Sequence, residues 1–250
     1  MRGTIRFFLP FFISALFLIS CKTVYQPQAV QYIDYRLTQQ SKQDSGLNKL
    51  LQPYADIVNK SMNTVIAVAA TELEKKQPEG TLGNIMADAM LAKAKQGYKM
   101  PVDGAFINFG GIRLTSVAAG NITRGKIFEL APFDNDIIIQ KLSGKVLQEF
   151  LNHISAKGGW PVAGISWQIK NKAAINILIN GQSINDTTVY AIAMVDYVAN
   201  GGDDCIMLRP IPQQSTGYVL REALIEYFIE LNRQGKKISS QIENRVTNAE

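Results

Sequence analysis

The strongest constraint in this chain is a short apolar strand that runs without interruption into a pair of glycines. Ala105-Phe106-Ile107 leads directly into Asn108-Phe109-Gly110-Gly111-Ile112-Arg113. A run of the first kind reads as buried strand, and the glycines permit positive φ and a close approach of backbone to a ligand. The strand sets where the turn points, and Arg113 follows within reach of whatever sits on it. A guanidinium fork suits phosphate or ribose oxygens. Asn108 offers the paired donor and acceptor that a purine edge requires. Taken alone, the string also fits a plain tight turn.

Two further stretches accompany it. One is Ala131-Pro132-Phe133, ahead of the polar Asp134-Asn135-Asp136; the other is Asp196-Tyr197-Val198-Ala199-Asn200-Gly201-Gly202-Asp203. Phe133 stands in a loop with polar neighbours, and Tyr197 precedes a second Gly-Gly turn. Two such rings facing each other form a slot for a base, each stacked face contributing about 1–3 kcal/mol. Asp203 is placed to accept hydrogen bonds from ribose hydroxyls, at roughly 1.5–3 kcal/mol for a charge-assisted bond. Singly, each residue also fits a structural role, with the rings in the core and Asp203 at a turn.

The remaining pattern mixes helices and strands. Strands are expected over residues 64–70, 105–107, 137–142, 165–169, 174–179 and 189–195, with a further short one around 30–37. Asn180-Gly181 marks a hairpin. Helices are expected over residues 46–62, 82–91 with Thr81 as a capping candidate, a short stretch before Leu130 capped by Thr123, 144–154 capped by Ser143 and ended by Gly158-Gly159, and 218–231. Asp88 reads as a solvent-facing carboxylate, with a polar contact as the other reading. The tail from Gln234 is polar and is expected to fray. Mixed elements with a hairpin point to an α+β fold, with mixed sheets and packed helices, rather than a doubly wound sheet.

Composition places limits on function. The 250 residues are 46% hydrophobic and 19% charged, ordinary for a globular chain. The formal net charge is +5, but no long basic block exists. Lys75-Lys76 and Lys236-Lys237 are only pairs, read as solvated helix faces, so nucleic acid is not an expected partner. Of two cysteines, Cys205 lies in the apolar run Cys205-Ile206-Met207-Leu208 and reads as a small buried hydrophobe. Cys21 closes a leader with a basic head, an apolar run and Leu18-Ile19-Ser20. That arrangement resembles the bacterial lipoprotein box, with the Cys21 thiol alkylated by lipid. An ordinary signal peptide or anchor helix with an incidental cysteine is the other reading. The expected organisation is a signal peptide over residues 1–20, a lipidated cysteine and tether over 21–59, and a domain over 60–250. The expected address is the bacterial cell envelope, on either its periplasmic or its surface face.

Taken in order, the motifs resemble the carboxy-terminal, substrate-binding domain of the 5′-nucleotidase family, which includes periplasmic UDP-sugar hydrolases and surface ecto-5′-nucleotidases. The likeness runs from Glu79-Gly80-Thr81-Leu82-Gly83-Asn84 and Ala87-Asp88-Ala89 through Asn108 to Arg113, Pro132-Phe133, Leu142-Ser143-Gly144 and Asp196 to Asp203. It implies that Phe133 and Tyr197 sandwich the base and that Asn108 hydrogen-bonds it. It also implies that Arg113 faces ribose and phosphate beside Gly110 and Gly111, and that Asp203 holds the ribose hydroxyls. Two departures stand out. Lys75-Lys76-Gln77-Pro78 occupies the stretch where the family commonly carries an arginine, and Tyr197 replaces a frequent phenylalanine.

The resemblance also implies an amino-terminal metallophosphatase domain whose two metals activate water. This chain has no room for it, and its one histidine, His153, is expected to be a surface or helix-end residue. No catalytic residue and no metal ligand are therefore assigned here. The expectation is a split enzyme, in which this chain holds the nucleotide and a separate metallophosphatase chain supplies the divalent metal pair. The alternatives are a stand-alone nucleoside- or nucleotide-binding lipoprotein and a structural lipoprotein that keeps only the fold. An uncovered loop at residues 158–161, including Trp160, would favour docking of a partner.

Overall fold

The computed structural model describes residues 32–38, 41, 42, 44–98 and 100–249. The chain divides into two units, residues 1–48 and 49–250. The leader, Cys21 and part of the tether lie outside the described residues. Residues 32–38 carry no regular secondary structure and are exposed, so the short strand expected there does not form across its described part. A strand needs a partner for its backbone groups, and no pairing involves these residues. The first helix, α1 (Ser45–Met62), forms as expected. It carries Leu50, Leu51, Tyr54, Ile57 and Val58 exposed at helical spacing, and none of its residues is buried. Among the described residues no helix is long and apolar enough to cross a membrane.

In the second unit the β-branched run folds as β1 (Val65–Ala69), followed by a short β2 (Leu73–Glu74). α2 (Thr81–Tyr98) buries Leu82, Ile85, Met86, Ala89 and Met90, the residues whose spacing marked it. β3 (Gly104–Phe106) enters the first Gly-Gly turn, and β4 (Ser116–Val117) and β5 (Gly120–Thr123) lead to α3 (Arg124–Leu130). β6 (Asp136–Ser143) runs into α4 (Gly144–Ala156). Both helices use the expected caps: the Thr123 hydroxyl accepts from the Lys126 N–H at 3.2 Å and the Ser143 hydroxyl from the Val146 N–H at 3.4 Å. Gly158 and Gly159, both at positive φ, end α4. β7 (Val162–Ala163) and β8 (Ile165–Lys170) follow, and β9 (Ala173–Ile179) turns into β10 (Gln182–Ser183) through Asn180 and Gly181. Their φ values of 49° and 80° are those of the tight hairpin turn that Asn-Gly favours. β11 (Val189–Val195), the short α5 (Asp196–Ala199), β12 (Gln213–Val219), α6 (Leu220–Arg233) and β13 (Val246–Asn248) complete the unit.

The main sheet has the order β12-β6-β11-β3-β7, and a second has the order β10-β9-β8-β13. In the main sheet β11 runs parallel to β3 but antiparallel to β6. The sheets are therefore mixed, and with the packed helices the fold is α+β. Phe150 of α4 meets Phe106 of β3 edge-on, with centroids 5.1 Å apart, and Trp160 at 5.8 Å. Trp167 of β8 lies 6.1 Å from Phe106 and donates its indole N–H to the Ser155 hydroxyl. One aromatic cluster thus joins both sheets through α4, and Trp160 is buried in it rather than left uncovered.

The tail does not fray. Val246–Asn248 pairs in parallel with β8, and Ile238, fully buried, bridges to β1. The buried Glu79 carboxylate accepts from the N–H groups of Glu243 and Arg245 and from the Asn84 amide. Arg245 forms a bidentate pair with Asp88 at 2.7 and 2.9 Å and donates to the Val162 carbonyl. Asp88 is thus a paired group and not a free surface carboxylate. Other local expectations also change. The Thr81 hydroxyl accepts from the Glu74 N–H instead of capping α2. Residues 218 and 219 belong to β12, because Gly217 at positive φ makes an irregularity that carries the strand on to Val219.

Removing one partner of a charge-assisted pair leaves the other poorly solvated. Arg245→Ala is expected to lower stability by about 2 kcal/mol, read as a reduced urea midpoint with an unchanged slope.

Candidate functional site

The topology brings three loops to one end of the main sheet. β3 and β11 are parallel neighbours, with Ala105 beside Ala193, so the segments that leave their carboxy-terminal ends emerge together. β6 runs the other way, with Ile137 beside Val195, so the loop that precedes it arrives at the same end. These segments carry Asn108 to Arg113, Tyr197 to Asp203, and Phe133. The three stretches separated in sequence line one cavity of about 350 Å³ formed by Asn108, Gly110, Gly111, Arg113, Phe133, Asn135, Tyr197 and Asp203.

All seven residues singled out from the sequence are among these. Phe133 and Tyr197 are each 47% exposed, so neither ring belongs to the core. The Phe133 loop is held from α6. The Arg221 guanidinium donates to the Pro132 carbonyl at 3.1 Å, pairs with Asp134 and lies 4.3 Å from the Phe128 ring centroid. Phe133 is therefore flanked on both sides by contacts to one side chain, a support no local sequence signal indicated.

The glycines of the first turn line the cavity as expected but do not use positive φ. Gly110 and Gly111 form a 3₁₀ turn and are not at positive φ. Their need is for space. A Cβ on Gly111 would stand 2.5 Å from the Asn108 side-chain oxygen, whereas Gly110 faces open volume. Gly201 is at φ 87°, and a Cβ on Gly202 would collide with the Tyr197 ring. The Tyr197 ring thus lies across the bare backbone of Gly202.

Asp203 is the hub of the site. Its carboxylate accepts from the Asn108 amide at 2.9 Å and lies 3.3 Å from the Tyr197 hydroxyl, which also accepts from the Asp203 N–H. Asp203 and Asp204 both adopt left-handed backbone, at φ 52° and 62°, at a cost of roughly 1–2 kcal/mol per residue. The Asp203 carbonyl receives two donors from the end of α4, His153 Nε2 at 2.8 Å and Lys157 Nζ at 2.7 Å. Lys157 also pairs with the Asp204 carboxylate at 3.0 Å. His153 is therefore a helix-end residue, as expected, but it is engaged directly behind the cavity. Burial pushes the Cys205 thiol up to about 12, aided by the neighbouring Asp203 charge, which makes it inert beneath the turn.

The cationic side is built from Arg113 and Lys75. The Arg113 guanidinium lies 5.7 Å from the Phe133 ring centroid and donates to the Gly110 carbonyl at 3.3 Å. Lys75 is not on a helix face. Its ammonium donates to the Ile112 carbonyl at 2.8 Å and sits 4.1 Å over the Phe109 ring. Burial, and then the Arg113 charge, hold its pKa below the usual lysine value. The residue missed from the sequence is Asn135. It lines the cavity, and its side-chain amide has no hydrogen-bond partner among the described residues, unlike Asn108. Its place two residues after Phe133 was the available signal. Among the described residues, no group of three or more His, Cys, Asp and Glu could hold a metal ion.

Residues 57–210 match the family model described as the 5′-nucleotidase, C-terminal domain. The chain is similar to a 5′-nucleotidase of Vibrio vulnificus, with 30% identity over 202 residues that cover 76% of this chain and 35% of that protein. It is also similar to the trifunctional nucleotide phosphoesterase protein YfkN of Bacillus subtilis, with 29% identity over 232 residues, covering 86% of this chain and 16% of that one. In three dimensions it resembles the 5′-nucleotidase precursor of Thermus thermophilus, with a TM-score of 0.70 and 26% identity over 80% of this chain and 42% of that chain. The chain spans about a third of the length of the Vibrio relative and less than half of the Thermus one. The family match covers more than half of the sequence and includes all the cavity-lining residues: the chain belongs to the 5′-nucleotidase C-terminal domain family.

Proposed function

We propose that this chain is the substrate-holding half of a split 5′-nucleotidase. The base of a nucleoside or nucleotide lies between Phe133 and Tyr197, and Asp203 accepts hydrogen bonds from the ribose hydroxyls. Arg113, beside Gly110 and Gly111, faces the phosphate. Asn108 and the unengaged amide of Asn135 meet the base edge. The carrying observation is a single cavity in which two half-exposed rings stand beside a carboxylate already oriented by Asn108 and Tyr197. A carboxylate offers about four acceptor positions, so two bonds to the protein leave capacity for a ribose.

Bond cleavage belongs to another polypeptide in this reading. A divalent metal pair held by a separate metallophosphatase chain would activate water. The residues here do not fit that role, because no metal-holding group is present among the described residues and the one histidine already serves the Asp203 carbonyl. The rims of Phe133 and Tyr197, with exposed Ile206 nearby in the chain, offer an apolar border that such a partner can cover. Lipid on Cys21 would tether the assembly to a bacterial envelope membrane, where it takes part in nucleotide catabolism.

Calorimetric titration of the mature chain with AMP and adenosine should show binding, and Phe133→Ala should weaken it about 10- to 100-fold, the equivalent of one lost stacking face. Undiminished affinity in that variant would remove the base slot. In the same samples with Mn²⁺ added, phosphate release is expected only when a metallophosphatase chain is supplied; turnover by the isolated chain would overturn the split arrangement. Cys21→Ser should move the protein from the membrane fraction to the soluble fraction.

A further inference from the structure

The carboxylate that faces the cavity belongs to a residue whose backbone is held in place from behind. Asp203 and Asp204 are successive non-glycine residues at left-handed φ. Such a conformation persists only where the surroundings over-determine it. The side-chain bonds from Asn108 and Tyr197 constrain the carboxylate, but they do not fix the peptide that links Asp203 to Asp204. That peptide is held mainly through its own carbonyl oxygen, which accepts from both His153 Nε2 and Lys157 Nζ, with the Cys205 thiol a weaker third donor at 3.8 Å. His153 and Lys157 come from one rigid element, the last turn and cap of α4. Phe150 of the same helix packs against Phe106 of β3, the strand that delivers Asn108. One helix thus spaces the two halves of the hub relative to each other.

We propose that His153 and Lys157 are positioning residues for ribose recognition, acting through the Asp203 carbonyl. The proposal rests on the nucleoside-holding role argued above. Neither side chain lines the cavity, so neither touches ligand. Without the two donors the peptide after Asp203 is released to a more ordinary backbone conformation. The carboxylate then swings out of register with Asn108 and Tyr197. The base slot is untouched, because Phe133 is held by Arg221 and the Tyr197 ring rests on Gly202.

The test compares two ligands that differ only in the hydroxyls concerned. The full chain and its His153→Leu, Lys157→Met and doubly substituted variants are titrated with adenosine and with 2′,3′-dideoxyadenosine. The parent should prefer adenosine. The double variant should lose about tenfold in adenosine affinity and keep its dideoxyadenosine affinity. His153→Gln, which retains an N–H donor, should restore most of the loss seen in His153→Leu. Equal weakening for both ligands, or no change for either, in a parent that binds adenosine would overturn this proposal and leave the base slot standing. A parent without affinity for either ligand overturns the slot and this proposal together. If the double variant does not fold and binds neither ligand, Lys157→Met decides, since its side chain is 37% exposed and its removal opens no core. A selective loss for adenosine there supports the role, and its absence overturns it.

Discussion

The site depends on the parallel pairing of β3 with β11 at the centre of the main sheet. Parallel neighbours discharge their connections at the same end, and an antiparallel neighbour on the other side receives its connection there. Two Gly-Gly segments and the Phe133 loop meet for that reason alone. Reversing either central strand would send one of them to the opposite end. The strands that make this arrangement are among the most buried in the chain, and Ile192 to Val195 and Ala105 to Ile107 are almost fully enclosed. Hydrophobic burial thus fixes the placement of groups that are themselves polar and half-exposed.

Around the cavity the chemistry divides by sign. The anionic side is Asp203, with its carboxylate hydrogen-bonded from two directions, its carbonyl held by His153 and Lys157, and its N–H donating to the Tyr197 hydroxyl. The cationic side is Arg113, with Lys75 behind the turn and engaged elsewhere. Neutral hydrogen bonds contribute about 0.5–1.5 kcal/mol each and charged ones somewhat more. Several of them together offset the backbone cost of two left-handed aspartates. The Phe133 and Tyr197 rings are half-exposed, with Arg113 near the first and the bare backbone of Gly202 under the second.

Much of this was legible in the sequence, and the losses have physical causes. β11 and the helices with one apolar face announced themselves by periodicity, and Ser143 and Thr123 by capping chemistry. β12 and β13 did not. Gln213-Gln214-Ser215 and Thr247-Asn248 are polar and lie on edge strands, where hydrogen bonding to one neighbour substitutes for an apolar pattern. Seven of the eight cavity-lining residues could be read because loops of small, aromatic and charged residues have few structural reasons for that composition. What stayed hidden was long-range support. Nothing near Asp203 indicates His153 some fifty positions earlier, and nothing near Phe133 points to Arg221. Of the two reasons the sequence offers for glycine at 111, torsion and close approach, the torsional one fails, and only the position of the Asn108 side chain shows that volume is what counts.

The latch at Glu79 has a consequence for the order in which the molecule can be made. Its carboxylate receives an N–H from Glu243, 164 residues further along the chain. Glu79 cannot make that bond, nor Asp88 its pair with Arg245, until synthesis has passed those positions. Nearly the entire second unit must exist before these two carboxylates have their partners. The final residues of the second unit therefore complete the surroundings of a helix laid down some 160 residues before them.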